Sequence, residues 1–240
     1  LKATEADCLH FVLLTGVSKY GKISIFSDLN NLFDVTLDRR FSTLLGYTQT
    51  ELEHYFSAHI DRLAVTYTTD RSTLLDAIKF WYNGYSWDGV NRVYVPFSTL
   101  VFFEQQTFAN HWFSTATPSF LIKLLRRNQI PAYTLEGITA DNKLLDSANV
   151  NDISVYSLLF QTGYLTVKHA YPSLLGQEYE LGYPNHEVEQ AFQQYLLADY
   201  LEAPSDRIST TILSGLNKTL RTQNVEGFIN ILKSVFADIP

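Results

Sequence analysis

Apolar and polar positions follow two periods along this chain, and most of its length follows the helical one. From Tyr47 to Ala64, YTQTELEHYFSAHIDRLA opens on Thr48 with Glu51 in the first turn. That pair predicts a capping box, in which hydroxyl and carboxylate each satisfy a backbone N–H left free at a helix start. Leu52, Tyr55, Phe56, Ile60 and Leu63 form its apolar stripe. A second helix is predicted from about Asp70, carrying Leu74, Leu75, Ile78 and Trp81 and stopping at Gly84, where a left-handed cap suits glycine. WDGVNRVYVPFSTLVFF reads as a turn, a short extended piece and another helix start. In TATPSFLIKLLRRNQIP, Thr117 is the expected cap and Pro118 the first helical residue; Arg126 and Arg127 sit at the negative end of the helix dipole. Ser205 to Phe236 reads as two further amphipathic helices joined near Thr222–Asn224.

The extended segments are fewer. The run Phe11–Leu14 predicts a buried strand, followed by irregular chain to about Arg40. DISVYSLLFQTGYLTVKHA predicts a helix ending at Gly163, then a strand through Leu165 and Val167. EYELGYP is a second alternating strand, and Asn185 caps the helix of NHEVEQAFQQYLLADYL. Helix, strand, a loop of eight to ten residues and strand match the C-terminal half of a winged helix. The fold class is therefore mainly α with a small β component.

At 240 residues the chain has length for one large or two small domains, and its 15 Tyr and 16 Phe supply ample core material. A net charge of −7 disfavours a surface devoted to nucleic-acid phosphates. No run of apolar residues is long enough to span a bilayer and no signal-peptide pattern is present, which points to the cytoplasm. A single cysteine, Cys8, allows no internal disulfide and suits a reducing compartment. His54 and His59 fall on different helix faces, so no metal site is predicted. The chain does not begin with Met and contains none, and we read it as part of a longer protein.

Gly16, Gly21 and Lys22 in GVSKYGK have the spacing of a phosphate-binding loop. Such a loop needs a Ser or Thr directly after the Lys for Mg²⁺ and a helix start facing the phosphates. Ile23 occupies the hydroxyl position, and ISIFSDL alternates like extended chain. The match is a coincidence of spacing. Asp28, Asn30, Asn31, Asp34 and Asp38 lack the ligand spacing and glycine turn of a metal loop, and are expected to hold an irregular loop by side-chain hydrogen bonds.

LLTGVSKYGKISIFSDLNNLFDVTLD, GYTQTELEHYF, WYNGY, HWFSTATPSFLIKLL, LLFQTGYLTVK and YELGYPNHEV resemble, in this order, the bacterial AAA-ATPase-like family, whose members often carry a C-terminal nuclease domain of the restriction-endonuclease type. The resemblance covers nearly the whole chain. It implies that the Walker A and Walker B elements lie upstream of Leu1 and a nuclease downstream of Pro240. It also implies the end of an α/β AAA-like core over 1–40, a helical lid region over 41–150, a winged-helix-like domain over 151–202, and a helical tail over 203–240. Gly16 and Lys19 match the family's post-strand motif, while Gly21 replaces a residue usually polar there. Val95 and Ala116 depart from an expected Asn and Gly.

On that resemblance Thr15, Ser18 and Lys19 are the candidate nucleotide-sensing residues, outside the carboxyl end of a core strand. Lys168 and His169, on the expected wing, are candidates for nucleic-acid or partner contact, although Glu178, Glu180, Glu187 and Glu189 nearby oppose phosphate. No catalytic set is identified. ATP and Mg²⁺ would be bound mainly by residues outside this chain, which alone is expected not to hydrolyse ATP. The expected function is the sensor, lid and winged-helix region of an ATP-dependent protein coupled to a nuclease. Its expected partners are its own ATPase core and nuclease domain, with nucleic acid and a homo-oligomer as further candidates and no membrane. The alternative is a non-enzymatic winged-helix module that binds DNA or protein.

Overall fold

The computed structural model describes residues 11–16, 33–112, 119–145, 154–174, 176–200, 212 and 214–237. Helices dominate, with two small antiparallel sheets, and the buried side chains gather into two clusters. Among the described residues, no helix is long and apolar enough to cross a membrane.

The first lobe is helical. Thr48 and Glu51 form the capping box of α1 (Gln49–Tyr55), which breaks at Phe56 before α2 (Ser57–Thr66). The expected single helix is thus two, and the break turns the Phe56 ring onto Phe103 at a 4.6 Å centroid separation. Tyr55 of the expected stripe points to solvent, whereas Leu52, Ile60 and Leu63 are buried. Asp70 caps α3 (Arg71–Tyr82) by accepting from Thr73 N. Strands β1 (Asn83–Tyr85) and β2 (Val93–Tyr94) pair antiparallel and lead into α4 (Pro96–Gln105). Val95, where Asn was expected, gives α4 no side-chain cap, and Pro96 starts the helix instead. Between the strands Asp88 holds the turn: its Oδ1 accepts from Val90 N and Asn91 N at 2.9 and 2.8 Å. Burial pushes the Asp88 carboxyl up, but these donors together outweigh it and hold it below the usual range.

The second lobe runs α5 (Ser119–Arg127), β3 (Ile138–Asp141), α6 (Asn142–Leu145), α7 (Val155–Gln161), β4 (Thr166–Ser173), β5 (Gly176–Gly182) and α8 (His186–Tyr200). Its sheet is antiparallel in the order β3-β5-β4. Leu121, Ile122, Leu125, Leu159, Val167, Leu181 and Phe192 fill the space between sheet and helices. Two last helices, α9 (Ser214–Arg221) and α10 (Val225–Ala237), meet where the sequence places their joint, at Thr222–Asn224.

Three further expectations change. Gly84 does not cap α3: Asn83 is already extended, and Gly84 lies in β1 at φ +137°. The reason is a close approach between lobes, since a Cβ there would sit 1.9 Å from the carbonyl oxygen of Pro184. The loop expected between the last two strands is mostly strand, because β4 continues to Ser173 in register with Gly176. Phe11–Leu14 forms no strand and is exposed. An apolar run becomes a buried strand only beside a ladder partner, and none of the described residues provides one. Thr117 and Pro118 lie outside the described residues.

The lobes join through backbone. Ser86 N donates to Thr166 Oγ1 at 2.7 Å, while Thr166 Oγ1 and Val167 N donate to Ser86 O at 2.8 and 3.2 Å. Tyr85 OH donates to Gly163 O at 2.8 Å. Gly84→Ala is therefore expected to cost about 3 kcal/mol or more through overpacking and backbone strain. Gly137→Ala, at φ +76° in open space, should cost only the strain, about 1 kcal/mol. Chemical denaturation of the two variants checks the contrast.

Candidate functional site

A cleft of about 440 Å³ opens along this junction. The helical lobe contributes Asp76, Lys79 and Phe80 from α3, and Arg92 just ahead of β2. The second lobe contributes Glu136, Lys168 and the start of α8, where Asn185, His186 and Glu189 face the same space. Lys168 reaches it because the β4–β5 register shifts between Val167 and His169. A bulge there breaks the alternation of faces and re-aims one side chain. Arg92 Nη2 donates to the Lys168 carbonyl at 3.2 Å, which fixes the bulge from the opposite lobe.

The charges of the cleft are unequally engaged. Glu136 Oε1 accepts from Tyr183 N at 2.9 Å, and Glu189 Oε1 accepts from Gln193 Nε2 at 3.2 Å. By contrast Lys79, Arg92 and Lys168 make no ion pair within 4.0 Å among the described residues. Burial pushes the Lys168 ammonium down, Glu136 and Glu189 oppose this, and Arg92 adds to it. His186 is likewise pushed down by burial, against Glu189, and its ring stacks on Phe80 at 4.5 Å. Asn185 accepts from Val188 N through Oδ1 at 3.1 Å, as a helix cap should. Its Nδ2, although buried, has no partner.

Beneath the cleft lies Glu187, fully buried. Its Oε1 accepts from Ser98 Oγ at 3.0 Å and His111 N at 2.7 Å in the helical lobe, and from Trp112 N at 2.8 Å, whose ring packs against the core of the second lobe. Its Oε2 has no partner. Burial raises the carboxyl above its ordinary value, and the donors from Trp112, Ser98 and His111 act against that shift.

Of the residues singled out in the sequence, Lys168 lines the cleft, while His169 is exposed on the hairpin. Thr15 and Gly16 lie in exposed chain that is neither helix nor strand. Ser18, Lys19, Gly21 and Lys22 lie outside the described residues, as do Asp28, Asn30 and Asn31. Asp34 and Asp38 do hold their loop, accepting from Thr36 N and Arg40 N at 3.0 Å each. Arg126 pairs with Asp199 at 2.9 Å. Among the described residues no group of three His, Cys, Asp or Glu side chains could hold a metal ion.

Sequence reasoning missed Arg92, Lys79 and Glu136, which carry no local signal. It also took Glu187 for a surface acid, although its neighbour Asn185 was recognised as a cap. An acid in the first turn of a helix normally faces solvent near the positive dipole end; only the incoming 98–112 segment explains its burial here.

The chain is similar to an uncharacterized protein of the vnfD 5′ region of Azotobacter chroococcum mcd 1, with 38% identity over 240 residues. That alignment takes in all of this chain and 44% of the relative, so the chain spans less than half the relative's length. No family model and no solved structure matches it.

Glu187 yields a pH test. Because burial places its folded-state pKa above the ordinary 4.5, its contribution is fully present below the unfolded value and is lost as pH rises through the folded one. The stability of wild type minus that of Glu187→Gln should therefore fall as pH rises from 4.5 and then level off. Glu187→Ala strands three donors and should cost about 3 kcal/mol or more. Urea titrations across pH measure both.

Proposed function

We propose that this chain is the lid and winged-helix-like region of a longer ATP-dependent protein coupled to a nuclease, and that it acts through protein contacts. Several features support the reading. The relative that contains the whole alignment is more than twice as long. The helix α7 followed by the β4–β5 hairpin supports the winged-helix-like reading of 151–202, and β3, which adds a third strand in the order β3-β5-β4, comes from ahead of that span. The motif resemblance supplies the ATPase core and nuclease as neighbours in the same protein, together with a cytoplasmic location. ATP and Mg²⁺ would be held mainly by that core. Nucleotide state would then move the two lobes, already tied by Glu187 and Thr166, as one lid against it.

One observation favours protein over DNA. In a winged helix that reads DNA, the helix ahead of the hairpin enters the major groove and must present a polar face. Here that helix is α7, and Val155, Ser157, Leu158, Leu159 and Phe160 are all buried. The hairpin adds Glu178 and Glu180 beside His169 and Tyr171, with Tyr171 OH donating to Glu180 Oε2 at 2.8 Å. Acids at these positions repel phosphates.

Short DNA duplexes titrated at low and high salt, followed by fluorescence anisotropy, should show no salt-dependent binding. The chain should instead associate with the separately expressed remainder of the longer protein, more tightly with one nucleotide state than the other. Salt-dependent duplex binding that His169→Ala weakens, without association to the remainder, would overturn the proposal in favour of a DNA-binding module.

A further inference from the structure

The inter-lobe cleft has a pattern of engagement that the lid reading does not use. Among the described residues Lys79, Arg92 and Lys168 make no ion pair within 4.0 Å, and Glu136 and Glu189 act on Lys168 only from farther off, each with one oxygen committed to Tyr183 N or the Gln193 side chain. Among the cleft's buried amides, Asn185 Nδ2 has no partner. A half-buried ammonium without a close ion pair and a buried amide hydrogen without an acceptor are both unfavourable, so each gains from an added acceptor oxygen. Pro184, Asn185 and His186 bring the positive end of α8 to the same wall. The β4 bulge turns Lys168 toward it, and Arg92 fixes that bulge.

We propose that this cleft binds a small oxyanion-bearing ligand, its phosphate or carboxylate group held between Lys168, Arg92 and the Asn185 side-chain amide. Lys79 at the rim adds a further cation, and the exposed Phe80, stacked on His186, offers a ring face to the body of the ligand. The acids set the upper limit. Asp76, Glu136 and Glu189 line the same space, so a group of one or two charges is accommodated while a polyanionic strand is repelled. The proposal needs neither the ATPase neighbour nor the winged-helix reading, and it stands or falls separately from them.

Titration of the chain with inorganic phosphate and, separately, with malonate, at ionic strength held constant with chloride, tests it by calorimetry and by amide chemical-shift changes. One of the two should bind saturably at about millimolar Kd, with shifts at Asn185, His186 and Lys168. Lys168→Gln should weaken that binding about tenfold, and Lys168→Arg should restore most of it. Arg62→Gln, on the exposed face of α2, should leave it unchanged. Saturation by phosphate alone assigns a phosphate ester, and saturation by malonate alone assigns a carboxylate. Absence of saturable binding by either anion overturns the proposal, as does binding that a folded Lys168→Gln retains in full.

Discussion

The carboxylate of Glu187 holds three donors from the 98–112 segment on one oxygen, wholly out of solvent. A buried charge or carboxyl is tolerable only where hydrogen bonds replace its water. Ser98 Oγ and the amides of His111 and Trp112 do so here, and they in turn have Glu187 as their acceptor. Neither side of this arrangement is satisfied without the other. Separating the lobes would exchange these hydrogen bonds for bonds to water. The Ser86–Thr166 pair repeats the logic in the backbone, with β1 running on into the edge of β4.

That union fixes the cleft. Lys168 and Arg92 come from different lobes yet lie against the same space, with the β4 bulge re-aiming Lys168 and Arg92 bonding the Lys168 carbonyl from the other lobe. Gly84 and Gly89 let the backbones meet: an added Cβ would lie 1.9 Å from Pro184 O at the first and 2.6 Å from Ala170 N at the second. Close backbone contacts thus underlie the cleft, whose cations make no ion pair within 4.0 Å among the described residues. A lid that moved as one body would carry such a site with it unchanged.

What the sequence revealed was local. Thr48 with Glu51, Asp70, Asn185 and the Thr222–Asn224 joint were readable because a cap involves residues within one turn. The split at Phe56 was not, since its cause is a ring contact with Phe103 in another helix. Gly84 was misread for the same reason: helix caps and close approaches both select glycine, and only the position of Pro184 separates them. Lys168 was noticed on a strand, but its direction depends on a register shift that no periodicity contains. Glu187 sat in a helix-start pattern that reads as solvent-facing, and the segment that buries it arrives from 98–112.

The central claim is that Glu187 makes the two lobes one cooperative unit, and native-state hydrogen exchange of the His111 and Trp112 amides tests it most directly. If the lobes unfold together, both amides should exchange only through global unfolding, with the same opening free energy and denaturant dependence as the Val167 amide of β4. Exchange of His111 and Trp112 through a smaller, denaturant-insensitive opening, while Val167 stays protected, would contradict the account.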